Sequence, residues 1–499
     1  MMLALRDPWV WLLGALTVAA KVPLLWLNSA EYTDGLIQLR LFDNGCPLYM
    51  PLYTVLCLGL HHLGLEPLMA GRVVSLLALG VTGIALAAIT AWLTGSRAAG
   101  LWALALYAVS PVPTRWGIRV MTDSLFAGLW WISLAGFLAA AGACIAPIRR
   151  PRLSQGAVVC LAFGALAALT RHTGWILAPL GALTLFAALR EGGARSATLP
   201  VLSFLLFTAP LVWMLGAGAV EGHGAQVSAR FTPLAALQIV ESYAVDWPLF
   251  VGWPLALLTV WALARPVAAG PRWRLFAAVA LWCVIGILAM QVLIQSYLER
   301  YLLPLFGFPA ILGGAALARL GIERPRLLAP AATLTLGWLL VFNVTSLWKQ
   351  RDSWGDFRRA AEAMAELASP GTPCFTNESY AMWPEGDTTK AAFWSGRPVQ
   401  RLFLSTPEGT AVAPLPPGSL VLISSAYGGT QAYGQLAQEL YRRHDLEVIG
   451  EWRSEITPLL PDLMDGPFHQ NPLAVRLRHQ PQEFRTSLLR ILADREALP

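Results

Sequence analysis

"WVWLLGALTVAAKVPLLWLNSAEYTDGLIQLRLFDNG", Trp9 to Gly45, joins two kinds of chain. Trp9 to Leu27 is apolar apart from Lys21. At about 1.5 Å per helical residue it reaches across the roughly 30 Å hydrocarbon core of a bilayer. That length predicts a retained span rather than a cleaved signal peptide. Directly after it come Glu31, Asp34 and Asp43, in a protein whose charged residues make up only 13%. A lipid-crossing segment that empties into acid sets both the fold class and the functional question.

The pattern of the first span repeats along the chain. The 499 residues are 56% hydrophobic, include 21 Trp and have a mean hydropathy of +0.55, the profile of a polytopic membrane protein. Apolar runs at 9–27, 68–94, 100–113, 123–145, 155–170, 174–190, 198–218, 247–264, 275–296, 301–318 and 327–347 predict about eleven transmembrane helices. Half of all Lys, Arg, Asp and Glu lie after residue 347. The expected organisation is therefore a transmembrane domain over 1–347 and a soluble domain over 348–499. The stretch "PLYTVLCLGLHHL" at 51–63 is too short to span. Together with 34–43 it predicts interfacial helices within about 34–63.

Charge decides the orientation. With the N-terminus in the cytoplasm, Arg6, Arg97, Arg149, Arg150, Arg152, Arg190, Arg195, Arg265, Arg272, Arg274, Arg319, Arg324 and Arg326 all fall inside, as the positive-inside bias requires. This places the tail outside the cytoplasm. It also requires a loop near 190–197, separating two spans. Positive charge assigned to membrane loops gives no reason to expect nucleic acid as a partner. Six Cys show neither CxxC nor Cys/His metal spacing. An Arg- and Ala-rich, Lys-poor composition points to a bacterial inner membrane.

The tail reads as a small α/β domain. "SWGDFRRAAEAMAELASPG" has helical spacing with a Pro-Gly stop. "SLVLISSAY" and "LEVIGEWR" read as strands, with a helix near 430–443 between them. "NESYAMWPEGDTTKAAFWSGRP" (377–398) suits either sugar contact or a packed core. No Walker or dinucleotide glycine motif opens a helix.

The outer rim carries Arg40, Arg72, Arg115, Arg119, Arg171, Arg230 and Arg300 against the positive-inside bias. Two explanations stand: an anionic ligand, with phosphate the natural partner of a guanidinium, or pairing with nearby acids. In "PTRWGIRVMTDSLF" (113–126) Arg119 and Asp123 are four apart, so one helical turn would let them pair. In "SYLERYLLP" (296–304) Glu299 stands ready to neutralise Arg300. His61 and His62 suit snorkelling more than ligation. His223 lies in an outer loop, 219–246, that would suit a lid.

The order of these motifs carries a resemblance. Acids in the first outer loop precede "PLYTVL"; "MTDSLF" opens the helix after the next outer loop; "ERYLLPLFGFPAIL" opens a late helix; and "SWGDFRRAAEAMAEL" begins a soluble tail. The sequence resembles the GT-C integral-membrane glycosyltransferases, specifically the protein O-mannosyltransferase and lipid A aminoarabinose transferase superfamily. The resemblance implies an inverting hexosyl or pentosyl transferase using a polyprenyl-phosphate-linked sugar donor. The acceptor would be a lipid, glycan or protein on the non-cytoplasmic side.

The family's general base is an Asp in the first outer loop, usually written Asp-Glu. Here the stretch is Glu31-Tyr-Thr-Asp34-Gly, and Asp34, which opens the presumed interfacial helix, is preferred over Glu31. The family often has a Lys before the second interfacial helix; here "LYMPLY" has none, leaving Tyr49 and Met50. The family's Arg-Tyr-x-x-Pro maps onto Arg300, Tyr301 and Pro304.

The resemblance thus implies Asp34, Glu31 and Asp123 as catalytic candidates, and Arg119, Arg300 and Tyr301 as holders of the lipid phosphate. Tyr49, Arg72, Arg171 and His172 are further candidate donor contacts. No metal site is defined, although Glu31 and Asp34 with a His leave room for a divalent cation. The competing class is a transporter or lipid-linked-sugar flippase, which would show internal symmetry and charges near helix midpoints.

Overall fold

The computed structural model describes residues 6–44, 50–145, 151–216, 233–264, 270–293, 299–378, 390–406, 409–427, 429–456 and 482–494. Among them, seven helical segments are long and apolar enough to cross a membrane: Pro8–Trp26, Pro67–Thr94, Thr122–Gly142, His172–Arg190, Pro271–Leu293, Glu299–Glu323 and Pro325–Leu367. The pair Ala236–Val251 and Trp253–Ala264, bent by 107°, makes an eighth if taken as one span. Gly252 forms that corner with φ +89, a conformation open to glycine at little cost. Arg97–Val109 and Gln155–Ala168 are apolar but shorter.

One expected boundary is absent. The runs at 174–190 and 198–218 were separated by charge and glycine, yet the backbone is helical throughout Ala178–Gly216. The polar stretch marks where apolar side chains stop, which need not be where helical hydrogen bonding stops. The expected outer loop 219–246 is also partly helical, over Pro233–Val251. His223 lies outside the described residues.

The chain forms two compact units. The first comprises Met1–Leu25 and Pro47–Ser346, the second Trp26–Cys46 and Leu347–Pro499. In the first, Pro67–Thr94, Thr122–Gly142 and Glu299–Glu323 are mostly buried while the other spans are mostly exposed. The inner helices approach closely through small residues, as membrane helices do in the absence of a hydrophobic driving force between them. A Cβ on Gly156 would lie 2.7 Å from the backbone nitrogen of Ala140, and one on Gly314 2.6 Å from the carbonyl of Ala99.

The second unit holds a five-stranded sheet of order β2-β1-β5-β7-β6. Its strands are β1 (Cys374–Thr376), β2 (Gln400–Arg401), β5 (Leu420–Ser424), β6 (His444–Ile456) and β7 (Gln482–Asp494), with a separate hairpin of β3 (Phe403–Thr406) and β4 (Gly409–Val412). β1 pairs parallel with β2 and β5, while β7 pairs antiparallel with β5 and β6. The expected tail helices appear as Gly355–Leu367 and Gly429–Arg443. Apolar residues of the first, including Phe357, Ala361 and Met364, face a core shared with Leu420, Leu422 and Leu488. Its buried Asp356 accepts from Ser454 Oγ and Thr486 Oγ1, each at 2.7 Å, which ties the helix to β6 and β7. Asn377 bonds both ways with the backbone of Ser424, and Glu378 accepts from the amides of Lys390 and Ala391. These described parts of the 377–398 segment are built into the core.

The division falls differently from the sequence expectation at one place. The first outer loop was expected within the transmembrane domain; residues 26–46 instead belong to the unit of the tail. Hydropathy locates the end of a span, and it carries no information about which later segment the following residues fold against.

Candidate active site

The three inner spans of the first unit each begin beside a charged residue, and neighbouring segments bring those beginnings together. Pro111 opens a short helix, Pro111–Gly117, at a position where a missing N–H is no loss. All seven of its residues are buried. Arg115 in its last turn donates to Glu299 Oε1 at 3.0 Å, both side chains being 1% exposed. The helix ends before Arg119, and the next, Thr122–Ile145, starts with Asp123 in its first turn.

Arg119 and Asp123 are therefore not one helical turn apart. Asp123 pairs with Arg171, which stands just before the 3-10 segment His172–Leu177. The break at 118–121 means that the four-residue spacing does not place Arg119 and Asp123 on one helical turn. Arg119 is itself fully buried.

The late segment Glu299–Phe306 is a 3-10 helix running into the helix Gly307–Glu323. Trp131 Nε1 donates to the carbonyl of Pro304 at 2.9 Å and fixes its depth. Glu299, the expected neutraliser of Arg300, accepts from Arg115. Buried Arg300 lies 5.2 Å from the ring centre of Tyr301 and 5.8 Å from that of Trp116, and Nη1 reaches Met121 Sδ at 3.7 Å. Arg171 stacks over Tyr301 as well, at 4.5 Å. Tyr301 thus sits between two guanidinium groups, each held by a ring face, which keeps the planar fork oriented.

These contacts draw Arg115, Arg171, Arg300, Asp123, Glu299 and Tyr301 to one end of the inner helices, and buried Arg119 lies in the break between two of the helices that supply them. Four guanidinium groups meet two carboxylates in this set. The N-terminal end of the Thr122–Ile145 helix adds partial positive charge in the same region.

A support not foreseen from sequence is Tyr53, from the "PLYTVL" stretch. Its hydroxyl donates to the Gly71 carbonyl at 2.8 Å, lies 3.1 Å from Ser75 Oγ and accepts from Met121 N at 3.0 Å. Ser75 in turn donates to the Met121 carbonyl. The network pins the 118–121 break to two helices. Arg72 was expected at the donor; it is buried and donates to the carbonyl of Leu25. His172 is half-buried beside Arg171. Tyr49 lies outside the described residues.

In the second unit, the acidic stretch leads into the helix Thr33–Asn44 with Asp34 in its first turn. Glu31 is fully buried and Asp34 half-buried. Asp34 is therefore the carboxylate with open surface, while the helix dipole alone would also favour an acid there. Among the described residues, no three His, Cys, Asp or Glu side chains are grouped as a metal would need.

No family model matches the sequence, nor does any curated protein. Solved structures do match. The chain is similar to ArnT from Cupriavidus metallidurans in the apo state, with a TM-score of 0.59 and 16% identity, covering 88% of this chain and 96% of that one. The same protein bound to undecaprenyl phosphate gives a TM-score of 0.58 and 15% identity over 89% and 96% of the two chains. The likeness extends over both units and nearly the full length of the solved protein. The chain has the fold of the GT-C integral-membrane glycosyltransferases.

Proposed function

We propose that this chain transfers a hexose or pentose from a polyprenyl-phosphate carrier to a lipid, glycan or protein acceptor on the non-cytoplasmic side of a bacterial inner membrane. The observation that carries this reading is the buried guanidinium cluster around Tyr301, in a fold whose solved relative was captured with undecaprenyl phosphate. A sugar phosphodiester already contains a good leaving group. The acceptor oxygen attacks the anomeric carbon, its proton passes to the Asp34 carboxylate, and the bond from that carbon to the phosphate oxygen breaks. The polyprenyl phosphate departs with the electron pair, held by Arg119 and Arg300 with Tyr301 as a hydroxyl donor. A single displacement inverts the anomeric centre. Asp123, paired with Arg171, orients that arginine over Tyr301.

The functional test is a comparison of envelope glycans and glycolipids between a deletion strain and its parent. Loss of one sugar substituent, restored by the wild-type gene and not by Asp34→Asn, supports transfer. Accumulation of a lipid-linked sugar inside the cell, with Asp34→Asn fully restoring export, supports a flippase instead.

Arg300 gives a sharper readout. An ammonium cannot reproduce a planar fork, so Arg300→Lys is expected to raise the KM for the lipid-linked donor about tenfold, with normal yield and Tm. Unchanged donor kinetics in both Arg300→Lys and Arg300→Ala would remove Arg300 from the site and leave the phosphate to Arg119.

The orientation follows the arginine count: N-terminus in the cytoplasm and tail outside. A reporter active only in the cytoplasm, fused after residue 350, is expected to stay silent; strong signal there would reverse the topology.

A further inference from the structure

The carboxylate-bearing loop is built into the tail unit through one residue, Ser29. Its amide donates to the Arg351 carbonyl at 2.9 Å, and its hydroxyl donates to Asp352 Oδ1 at 2.9 Å. Its carbonyl accepts from Arg358 Nη1 at 2.5 Å. Each polar group of Ser29 is therefore engaged by residues 351–358. Arg358 is in turn fixed on two sides. Nε donates to Glu362 at 2.7 Å, and the guanidinium lies 4.5 Å from the ring centre of Trp394.

The receiving bend is shaped for this contact. Trp354 adopts φ +64, which a non-glycine residue rarely does. A Cβ on Gly355 would overlap Asp352 Oδ1 and come within 2.8 Å of Ser29 Oγ. The next residue, Ala30, is fully buried in a core with Trp354, Phe357 and Tyr427. Backbone strain of this kind persists where the surroundings over-determine it, and it clusters at sites of function.

We infer that Arg358 and the 351–355 bend are positioning elements for catalysis: by holding Ser29 and Ala30 they fix the start of the Thr33–Asn44 helix and hence Asp34. The inference rests on Asp34 being the base. Fixing the chain five residues before Asp34 sets where the first helical turn begins, since the Leu36 amide donates to the Tyr32 carbonyl. The Thr33–Asn44 helix also contacts the Lys390–Ser395 helix, whose Trp394 carries Arg358. Arg358 touches no reacting atom; its effect is on orientation. The phosphate-holding arginines belong to the other unit, so loosening this anchor changes turnover and leaves donor binding alone.

The test uses full-length protein in detergent, with turnover read as undecaprenyl phosphate released from a panel of undecaprenyl-phosphate-linked hexoses and pentoses. Arg358→Met keeps an apolar stem against Trp394 and removes the donor to Ser29. It is expected to lower kcat about tenfold with donor KM unchanged, since displacements near 1 Å cost rates of this order. Arg358→Lys, which can still donate one bond to the Ser29 carbonyl, recovers most of the turnover. Gly355→Ala, which crowds the anchor from the other side, reproduces the loss. Amide exchange of residues 31–38 should rise in Arg358→Met while that of β5 and β7 stays constant. Unchanged exchange there overturns the anchor, and raised exchange with wild-type kcat overturns its catalytic role. If the wild-type chain releases no undecaprenyl phosphate from any member of the panel, the functional reading falls, and the exchange data alone then decide the anchor.

Discussion

Asp34→Asn is expected to lower sugar transfer by roughly 10²–10⁴-fold, the usual worth of a general base. Asparagine keeps the shape and most of the hydrogen-bonding reach of the side chain and loses only the ability to take up the acceptor's proton. The bland explanation of Asp34 is electrostatic: an acid in the first turn of the Thr33–Asn44 helix complements the dipole. That role is worth about 0.3–1 kcal/mol and would appear as a small fall in Tm without a change in turnover. The two roles therefore separate in one purified preparation, by kcat against Tm. Glu31→Gln is expected to affect turnover less, because Glu31 is fully buried while Asp34 keeps exposed surface. Wild-type turnover in a folded Asp34→Asn protein would move the role to Glu31 or Asp123.

Glu299→Ala is expected to act on the fold rather than on one chemical step. Arg115 and Glu299 are both buried, and removing the acid leaves a guanidinium in low dielectric without the carboxylate that stands 3.0 Å away. Breaking a buried pair from one side typically costs about 3–5 kcal/mol, whereas replacing both partners by apolar residues is often neutral. Loss of yield and a large drop in Tm are thus expected for Glu299→Ala, and for Arg115→Met/Glu299→Leu a recovery of both. The double variant also reports on Arg300, the next residue after Glu299. Restored stability with weakened donor affinity would show that the pair sets the depth of the 299–306 segment. Wild-type Tm in Glu299→Ala would mean that the pair is worth no more than an exposed one.

The fold class was legible because lipid imposes a simple rule: every spanning segment must be long, apolar and internally hydrogen-bonded. The tail helices at 355–367 and 429–443, and the strand at 420–424, were legible from their periods. What failed did so for physical reasons. The four-residue spacing puts Arg119 and Asp123 on one turn only if the helix is continuous, and the helix breaks at 118–121. Arg115 and Glu299 lie 184 residues apart, and Asp123 and Arg171 lie 48 apart; no local pattern encodes such partners. The charged stretch at 190–197 signalled a loop, but helical backbone tolerates polar side chains wherever the environment does. Tyr53 was read only as part of an interfacial motif, because a hydroxyl that links two helices and a break looks like any other aromatic in a line of sequence.

The attachment of Ser29 to residues 351–358 has a consequence for how the protein is made. Asp352, the hydrogen-bond acceptor of Ser29, is separated from it by 323 residues. At about 5–20 residues per second, the ribosome delivers that partner roughly 16–65 s after the loop itself. During this interval the first span and the acidic loop have emerged, and the 351–358 segment that holds the loop does not yet exist. The proposed base is therefore among the last parts of the enzyme to be set, although it is encoded among the first. A chain stalled or cleaved before residue 351 would insert its early helices and present the carboxylates without their anchor. On the proposed function, an unfinished chain would therefore lack the contact that sets its base until the tail is made.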